Sequence, residues 1–304
     1  MNEVIECVPN FSEGVDRKKV SAIVRAMRVE GVSLLDWSMD PDHNRSVVTI
    51  AGPPKAVIEA ALRAVGRAAD LIDLTAQKGV HPRIGSADVI PFVPLSGVSL
   101  EQCALWARQA GKEIWEHYGV PVYFYAAAAA RPDRAELEDV RRGQFEGLRE
   151  TAMRDPARRP DIGGPQLHPT AGATAVGARK FLVAYNLYLE RPDVTAARAI
   201  AKAIRSSGGG LPGVKAIGVL AQHRAQVSMN ITDLGVTGVG EVYAAVSRLA
   251  VEHGTKVADG ELIGLLPEQA FEPESEWVRL LVGFQPEEKI LERRLSRPLE
   301  WPEP

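Results

Sequence analysis

Only two cysteines occur in the 304 residues, Cys7 and Cys103, and their spacing suits no metal. That excludes a disulfide framework and a Cys-x-x-Cys redox or zinc motif; the pair reads as small buried hydrophobes in a reducing compartment. No stretch approaches the about 18 consecutive apolar residues of a bilayer span. The opening "MNEVIECVPNF" lacks the basic and apolar regions of a signal peptide, so a cytoplasmic location without a membrane partner is expected. A large excess of positive charge is missing too. With 36 Lys+Arg against 39 Asp+Glu, the net charge is −3, which argues against nucleic-acid binding by broad phosphate neutralisation but leaves room for a local basic pocket. Six histidines are present, yet there is no His-x-His or His-x-x-x-His pair, so no metal site is expected.

What the chain does have is length for two domains and ordinary globular composition, 45% hydrophobic and 25% charged. Val20, Ile23, Val24 and Met27 fall at i, i+3, i+4 and i+7, one face of a helix, and Ala197, Ile200, Ala201 and Ile204 repeat that spacing. Val57, Ala60, Ala61 and Ala64 are echoed in the same way by Val242, Ala245, Val246 and Leu249. Between the members of each pair lie two strand-like runs, "GVSLLDWS" and "RSVVTIAG" first, then "GVKAIGVLA" and "AQVSMNIT". Each half opens on a strand, "VIECVP" or "FLVAYNLYL", and closes on another, "ADVIPFVPL" or "LIGLLP". The order recurs at a separation of roughly 180 residues. It predicts an α/β (α+β) fold of two ferredoxin-like βαββαβ subdomains, internally duplicated. The expected boundaries are 1–178 and 179–304.

The first half is longer. It adds a helix over Leu100–Tyr118, a strand "VPVYFYA" and a polar helical run from Asp133 to Met153. The segment "RDPARRPDIGGPQLHPTAGAT" is rich in Pro, Gly and Arg and reads as a linker between the halves, where a ligand cleft is expected.

Several polar clusters are candidates for chemistry. His117 and His253 each precede a helix-ending glycine and are read as dipole partners at helix C-termini. "SSGGGLPG" ends a helix and "GVTGVGEV" opens one; capping explains both. His43 and His223 sit in corresponding hairpin connections. In "MDPDHNRS" the density of Asp40, Asp42, His43, Asn44 and Arg45 exceeds what a turn requires, and turn and site both remain open. His81, in "QKGVHPRIGSADVIPFVP", is clamped between Gly79 and Pro82, with Arg83 and Asp88 supplying charges nearby. A structural histidine would be more at home inside an element than on so stiff a loop.

Five motifs together carry a resemblance: "ECVPNFSEG", "DPDHNRSVVTIAG", "GVHPRIGSADVIPFVP", "LHPTAGATAVGARKFLVAYN" and "AQVSMNITD". Over about residues 3–270 the chain resembles the glutamate formimidoyltransferase family. The resemblance implies two α/β subdomains with folate bound between them, usually in a dimer, and no cyclodeaminase domain within this length. It implies transfer of a formimidoyl group from N-formimino-L-glutamate to N5 of tetrahydrofolate, which is the acceptor, with no metal. His81 matches the catalytic histidine. The segment Gly163, Gly164, Pro165, Gln166, Leu167, His168, Pro169, Thr170, Ala171 and Gly172 matches a folate-contacting stretch.

The remaining assignments follow from residue type and loop position within that reading. Asp40 and Asp42 are expected to stabilise the cationic formimino group, and His43 to line the site. Arg45, Arg83 and Arg224 are expected to fork onto carboxylates. A histidine with a pKa near 7 would serve both proton transfers. Two positions depart from the family pattern: Val80 where Glu is common, and Ser86 where Ala is usual. If the missing carboxylate tunes the imidazole, Asp88 or Asp40 would have to replace it. A formyl donor such as N-formylglutamate, or a non-catalytic folate or amino-acid sensor, is compatible with the residues alone.

Overall fold

In the computed structural model, residues 3–79, 81–221 and 223–303 are described; Val80 and Gln222 lie outside them. The chain divides into two compact units, 1–179 with 298–304, and 180–297.

In the first unit β1 (Val4–Cys7) and β2 (Asn10–Phe11) are two pieces of one strand. Cys7 pairs with Ile50 and Asn10 with Val47, so the register continues past the break at Val8–Pro9. β3 (Ser33–Asp40), β4 (Arg45–Gly52) and β5 (Ala87–Ser96) complete an antiparallel sheet in the order β3-β4-β1/β2-β5. Residues two apart on these strands enter the core: Ile5 and Cys7, Val48 and Ile50, Ile90 and Phe92 are all fully buried. They meet α1 (Arg17–Ala26) and α2 (Pro54–Leu71) through the expected helix faces, Val20, Ile23 and Val24 on one and Val57, Ala60, Ala61 and Ala64 on the other.

α3 (Leu100–Tyr118) begins at a Ser99/Gln102 capping box and ends at Gly119 in the left-handed region, with His117 in its last turn. The next strand, β6 (Val122–Ala126), does not join β5 directly. β7 (Thr174–Ala178) inserts between them, parallel to both. The polar run after β6 is broken rather than continuous: α4 (Leu137–Val140) and α5 (Gln144–Arg154) are separated at Gly143, whose φ of 88° no helix accommodates.

The second unit is built from β8 (Val183–Leu189), α6 (Val194–Ile204), β9 (Val214–Ala221), β10 (Arg224–Ile231), α7 (Val239–Glu252) and β11 (Val257–Ile263). Its strand order is β9-β10-β8-β11, the first unit's β3-β4-β1-β5 order with each strand at the same place in the chain. The closing strand is "VADGELI", not "LIGLLP"; the latter runs past Gly264, where a φ of 78° ends the ladder. α8 (Glu276–Arg279), α9 (Pro286–Lys289) and α10 (Leu291–Ser296) follow. Residues 298–304 then return to the first unit, where Leu299 N–H donates to Leu34 O at 2.7 Å. No helix among the described residues is long and apolar enough to cross a membrane.

Candidate functional site

The β3–β4 hairpin places the first polar group. Asp40 and Arg45 are paired across it, and Asp40 accepts the His43 backbone N–H at 3.0 Å, a turn contact. The His43 ring turns back as well, with Nδ1 donating to Asp40 Oδ2 at 2.6 Å. Asn44 stands in the left-handed region, φ 48°, and joins three loops. It accepts from Gly14 N–H at 2.8 Å, donates to Lys78 O at 2.7 Å, and offers its own carbonyl to Gln77 Nε2 at 3.1 Å. Gly79 lies against this turn so closely that a Cβ would sit 2.5 Å from His43 O. The glycine before His81 is therefore a contact requirement, and it lets the loop run onto the hairpin.

That approach delivers His81. Its Nε2 is 2.8 Å from Arg45 Nη1, and its ring centroid is 6.3 Å from that of His43, edge to face. A guanidinium only donates, so Nε2 is the acceptor and the neutral ring carries its proton on Nδ1. Burial, then the charges of Arg45 and Arg141, pull the His81 pKa down to about 2. The expected value near 7 does not hold here, because the imidazole faces two guanidiniums in a desolvated position. Burial pushes the Asp40 carboxyl up, but the His43 hydrogen bonds outweigh it and hold the group at about 2. Arg45, desolvated and beside Arg141, falls to about 10 and stays charged at neutral pH.

Arg141 had no signal in the sequence beyond a polar helical run. It sits at the C-terminus of α4 and pairs with Asp88 Oδ2. Asp88 is itself buried and accepts Ile84 N–H at 2.7 Å on its other oxygen. Asp88 thus serves Arg141 and the loop backbone, and Asp40 serves His43. Among the described residues, the Nε atoms of Arg45 and Arg141 are both buried without a hydrogen-bond partner. Such a donor costs about 1–3 kcal/mol each while unpaired.

Behind His81 the loop is held by backbone. Ser86 N–H donates to Ala171 O and Ala173 N–H to Ile84 O, both at 2.9 Å. Ser12 Oγ donates to Gly85 O at 2.7 Å, and Ser12 N–H to Ser86 O at 2.9 Å. A Cβ at Gly85 would lie 2.0 Å from Ala173 O. The segment read as a linker is therefore part of the first unit, and its latter half is hydrogen-bonded to the histidine loop. His168 and Gly172 exchange backbone hydrogen bonds at 2.9 and 3.0 Å. His168 Nδ1 accepts from Ala171 N–H at 3.0 Å, and burial lowers its pKa. Leu167 and Ala171 are buried, Thr170 is half-buried and Pro169 exposed. The earlier half differs: Gly163 packs on the Trp115 ring and Gly164 on Pro160, with a half-buried Pro165 and an exposed Gln166 following.

The other expected ligands are placed elsewhere. Asp42 is exposed at the hairpin tip. Arg83 turns away from His81: Nη1 and Nη2 each donate to Glu146 at 2.9 Å, and Nε to Gln77 Oε1 at 2.6 Å. Arg224, in the second unit, is forked onto Asp259 at 3.1 and 2.6 Å and lies over the Tyr188 ring. His223 is exposed beside it, and Val80 falls outside the described residues. Among the described residues no cluster of three or more His, Cys, Asp or Glu could hold a metal.

Fold and site together define a two-subdomain α/β protein with a desolvated histidine–arginine–aspartate cluster in its first unit. The formiminotransferase N-terminal subdomain model matches residues 4–179 and the formiminotransferase domain model residues 184–279, so the chain belongs to the formiminotransferase family. It is 42% identical to a glutamate formimidoyltransferase of Thermoplasma acidophilum, over 97% of this chain and 98% of that one. A glutamate formimidoyltransferase of Streptococcus pyogenes serotype M1 is 40% identical over 97% and 99%. The mouse formimidoyltransferase-cyclodeaminase is 41% identical over 89% of this chain but only 51% of its own longer length.

Proposed function

We propose that the protein is a glutamate formimidoyltransferase, moving the formimidoyl group of N-formimino-L-glutamate to N5 of tetrahydrofolate and releasing L-glutamate. The observation that carries this reading is end-to-end identity of about 40% to two proteins of that name, in a chain whose hairpin and histidine loops bring Arg45 onto His81. In the reaction the N5–carbon bond forms, the carbon–nitrogen bond to glutamate breaks, and one proton passes from N5 to the departing nitrogen. His81 moves that proton. Asp40, held ionised by His43, faces the amidinium charge. The His168–Gly172 turn, tied to the His81 loop, contributes to the folate side. The acceptor is a co-substrate, free or polyglutamylated, and the working form is a cytoplasmic homodimer.

The test is the absorbance change of tetrahydrofolate mixed with purified protein and either N-formimino-L-glutamate or N-formylglutamate. Turnover with the first and at most trace turnover with the second supports the proposal. The reverse preference makes the protein a formyl transferase, and binding without turnover makes it a sensor. Sedimentation equilibrium checks the dimer.

A further inference from the structure

The cluster around His81 holds more guanidinium donors than its own residues use. Arg45 stands at the head of β4 and Arg141 at the end of α4. Against them are Asp88 on β5, already forked between Arg141 and Ile84 N–H, and Asp40 in the hairpin, engaged by His43. Arg45 has one arm on His81 Nε2, and both guanidiniums keep a buried Nε without a partner among the described residues. Two half-buried forks with unused donors, one in contact with the imidazole and the other near enough for its charge to act on it, have the chemistry of a carboxylate receptor. Arg83 and Arg224 are already forked onto Glu146 and Asp259, so they are poorer candidates for that task.

We infer that Arg45 and Arg141 bind a carboxylate of the glutamyl donor, and that this carboxylate switches His81 from an inert imidazole to a working base. The inference rests on the function proposed above and assigns Arg141 a substrate-binding role. Two effects act in the same direction when the anion arrives. It draws the Arg45 donors away from Nε2, freeing the lone pair that must take the proton. It also cancels the field of the two guanidiniums, which together with burial keeps the ring unprotonated at rest. His43 adds to that field and Asp40 opposes it, and neither changes partner in the exchange. The base is thus live only beside a bound donor, so tetrahydrofolate alone meets an unreactive site.

The test uses glutarate, a dicarboxylate with no group to transfer, and its uncharged diamide as control. The His81 ring is followed by histidine-labelled NMR across pH 4.5–8 in the full-length protein, assigned with His81→Gln. Without ligand the signal should not titrate. Saturating glutarate should raise the ring's proton affinity by about 300-fold or more, roughly 2.5 pKa units above about 2, and so bring a midpoint into the range; the diamide should do neither. Arg141→Gln should weaken glutarate binding about tenfold or more and raise KM for the formimino donor while leaving KM for tetrahydrofolate in place. Should that variant not fold, Arg141→Lys keeps the charge beside Asp88, loses the fork, and is expected to weaken glutarate in the same direction. Glutarate that fails to bind, binds without moving the His81 midpoint, or binds equally well to the Arg141 variant overturns the inference. A normal glutarate response without formimidoyl transfer would instead overturn the functional proposal and leave the receptor standing.

Discussion

Arg45 Nη1 lies 2.8 Å from His81 Nε2, and the two residues are held there by different loops joined through Asn44 and Gly79. The contact makes the histidine an acceptor, fixes its tautomer, and sets a cation against the atom that would otherwise take a proton. Much of the behaviour expected of this protein follows from that one approach.

Replacing His81 with Ala removes the proton carrier and leaves the folate-side backbone intact. The expected loss in kcat is about 10²- to 10⁴-fold, with tetrahydrofolate affinity near that of the wild type. Steady-state rates and a fluorescence titration with tetrahydrofolate check it; near-normal turnover takes His81 out of the chemistry.

Two buried groups should impose opposite pH slopes on stability. The folded pKa of His81 is about 2 against an ordinary 6.5, so below pH 6.5 the unfolded chain binds a proton that the native state refuses. Its contribution is present above 6.5 and is lost as pH falls, by about 1.4 kcal/mol per pH unit. Glu6, buried in β1, is raised by burial, with Arg179 opposing, from 4.5 to about 7. Its contribution is present below 4.5 and is lost as pH rises towards 7, with a similar slope of opposite sign. Between pH 5 and 6.5 the two nearly cancel. Urea melts should therefore show Glu6→Gln steepening the acid loss of stability, and His81→Gln reversing it. Parallel pH profiles for both variants and the wild type would contradict these assignments.

Arg83 is expected to act on stability before catalysis. Its side chain is buried and holds Glu146 and Gln77, although Glu146 itself is largely exposed, which lowers the cost of parting them. Arg83→Ala should destabilise by about 2–3 kcal/mol, read from a denaturation midpoint. KM for the donor should change much less than in the Arg141→Gln variant; a selective rise in that KM would restore Arg83 as a substrate ligand.

Gly85→Ala probes the seam behind the histidine. A methyl 2.0 Å from Ala173 O cannot be accommodated without moving one backbone. A loss of about 2 kcal/mol or more is expected, together with shifted amide signals across 84–86 and 171–173. An unperturbed melting temperature would show that the seam is looser than the contact requires.

Helix faces, the recurring element order and the location of His81 were legible in the sequence, since each depends on spacing along the chain. Val20, Ile23, Val24 and Met27 must share one side of any helix they form, and all four are buried. The clamped loop around His81 and the crowded "DPDHNR" hairpin also declared themselves locally. β7 did not, because "TAVGA" is a short run of small residues whose strand character comes from lying between β5 and β6. The polar helix was read too long because one glycine at positive φ outweighs the periodicity on either side.

Charge partners lay beyond reach for a different reason. Arg45, Arg83 and Arg141 are chemically the same side chain, and 36 to 63 residues of chain separate each contact, Arg45–His81, Arg83–Glu146 and Arg141–Asp88, from its counterpart. By itself the sequence determined which residues could form faces and which loop had to be stiff, since those properties follow from neighbours a few positions away. Only the tertiary structure decided which arginine meets the imidazole and which is neutralised by a carboxylate. That choice depends on distances and desolvation that exist only once the loops have closed on one another.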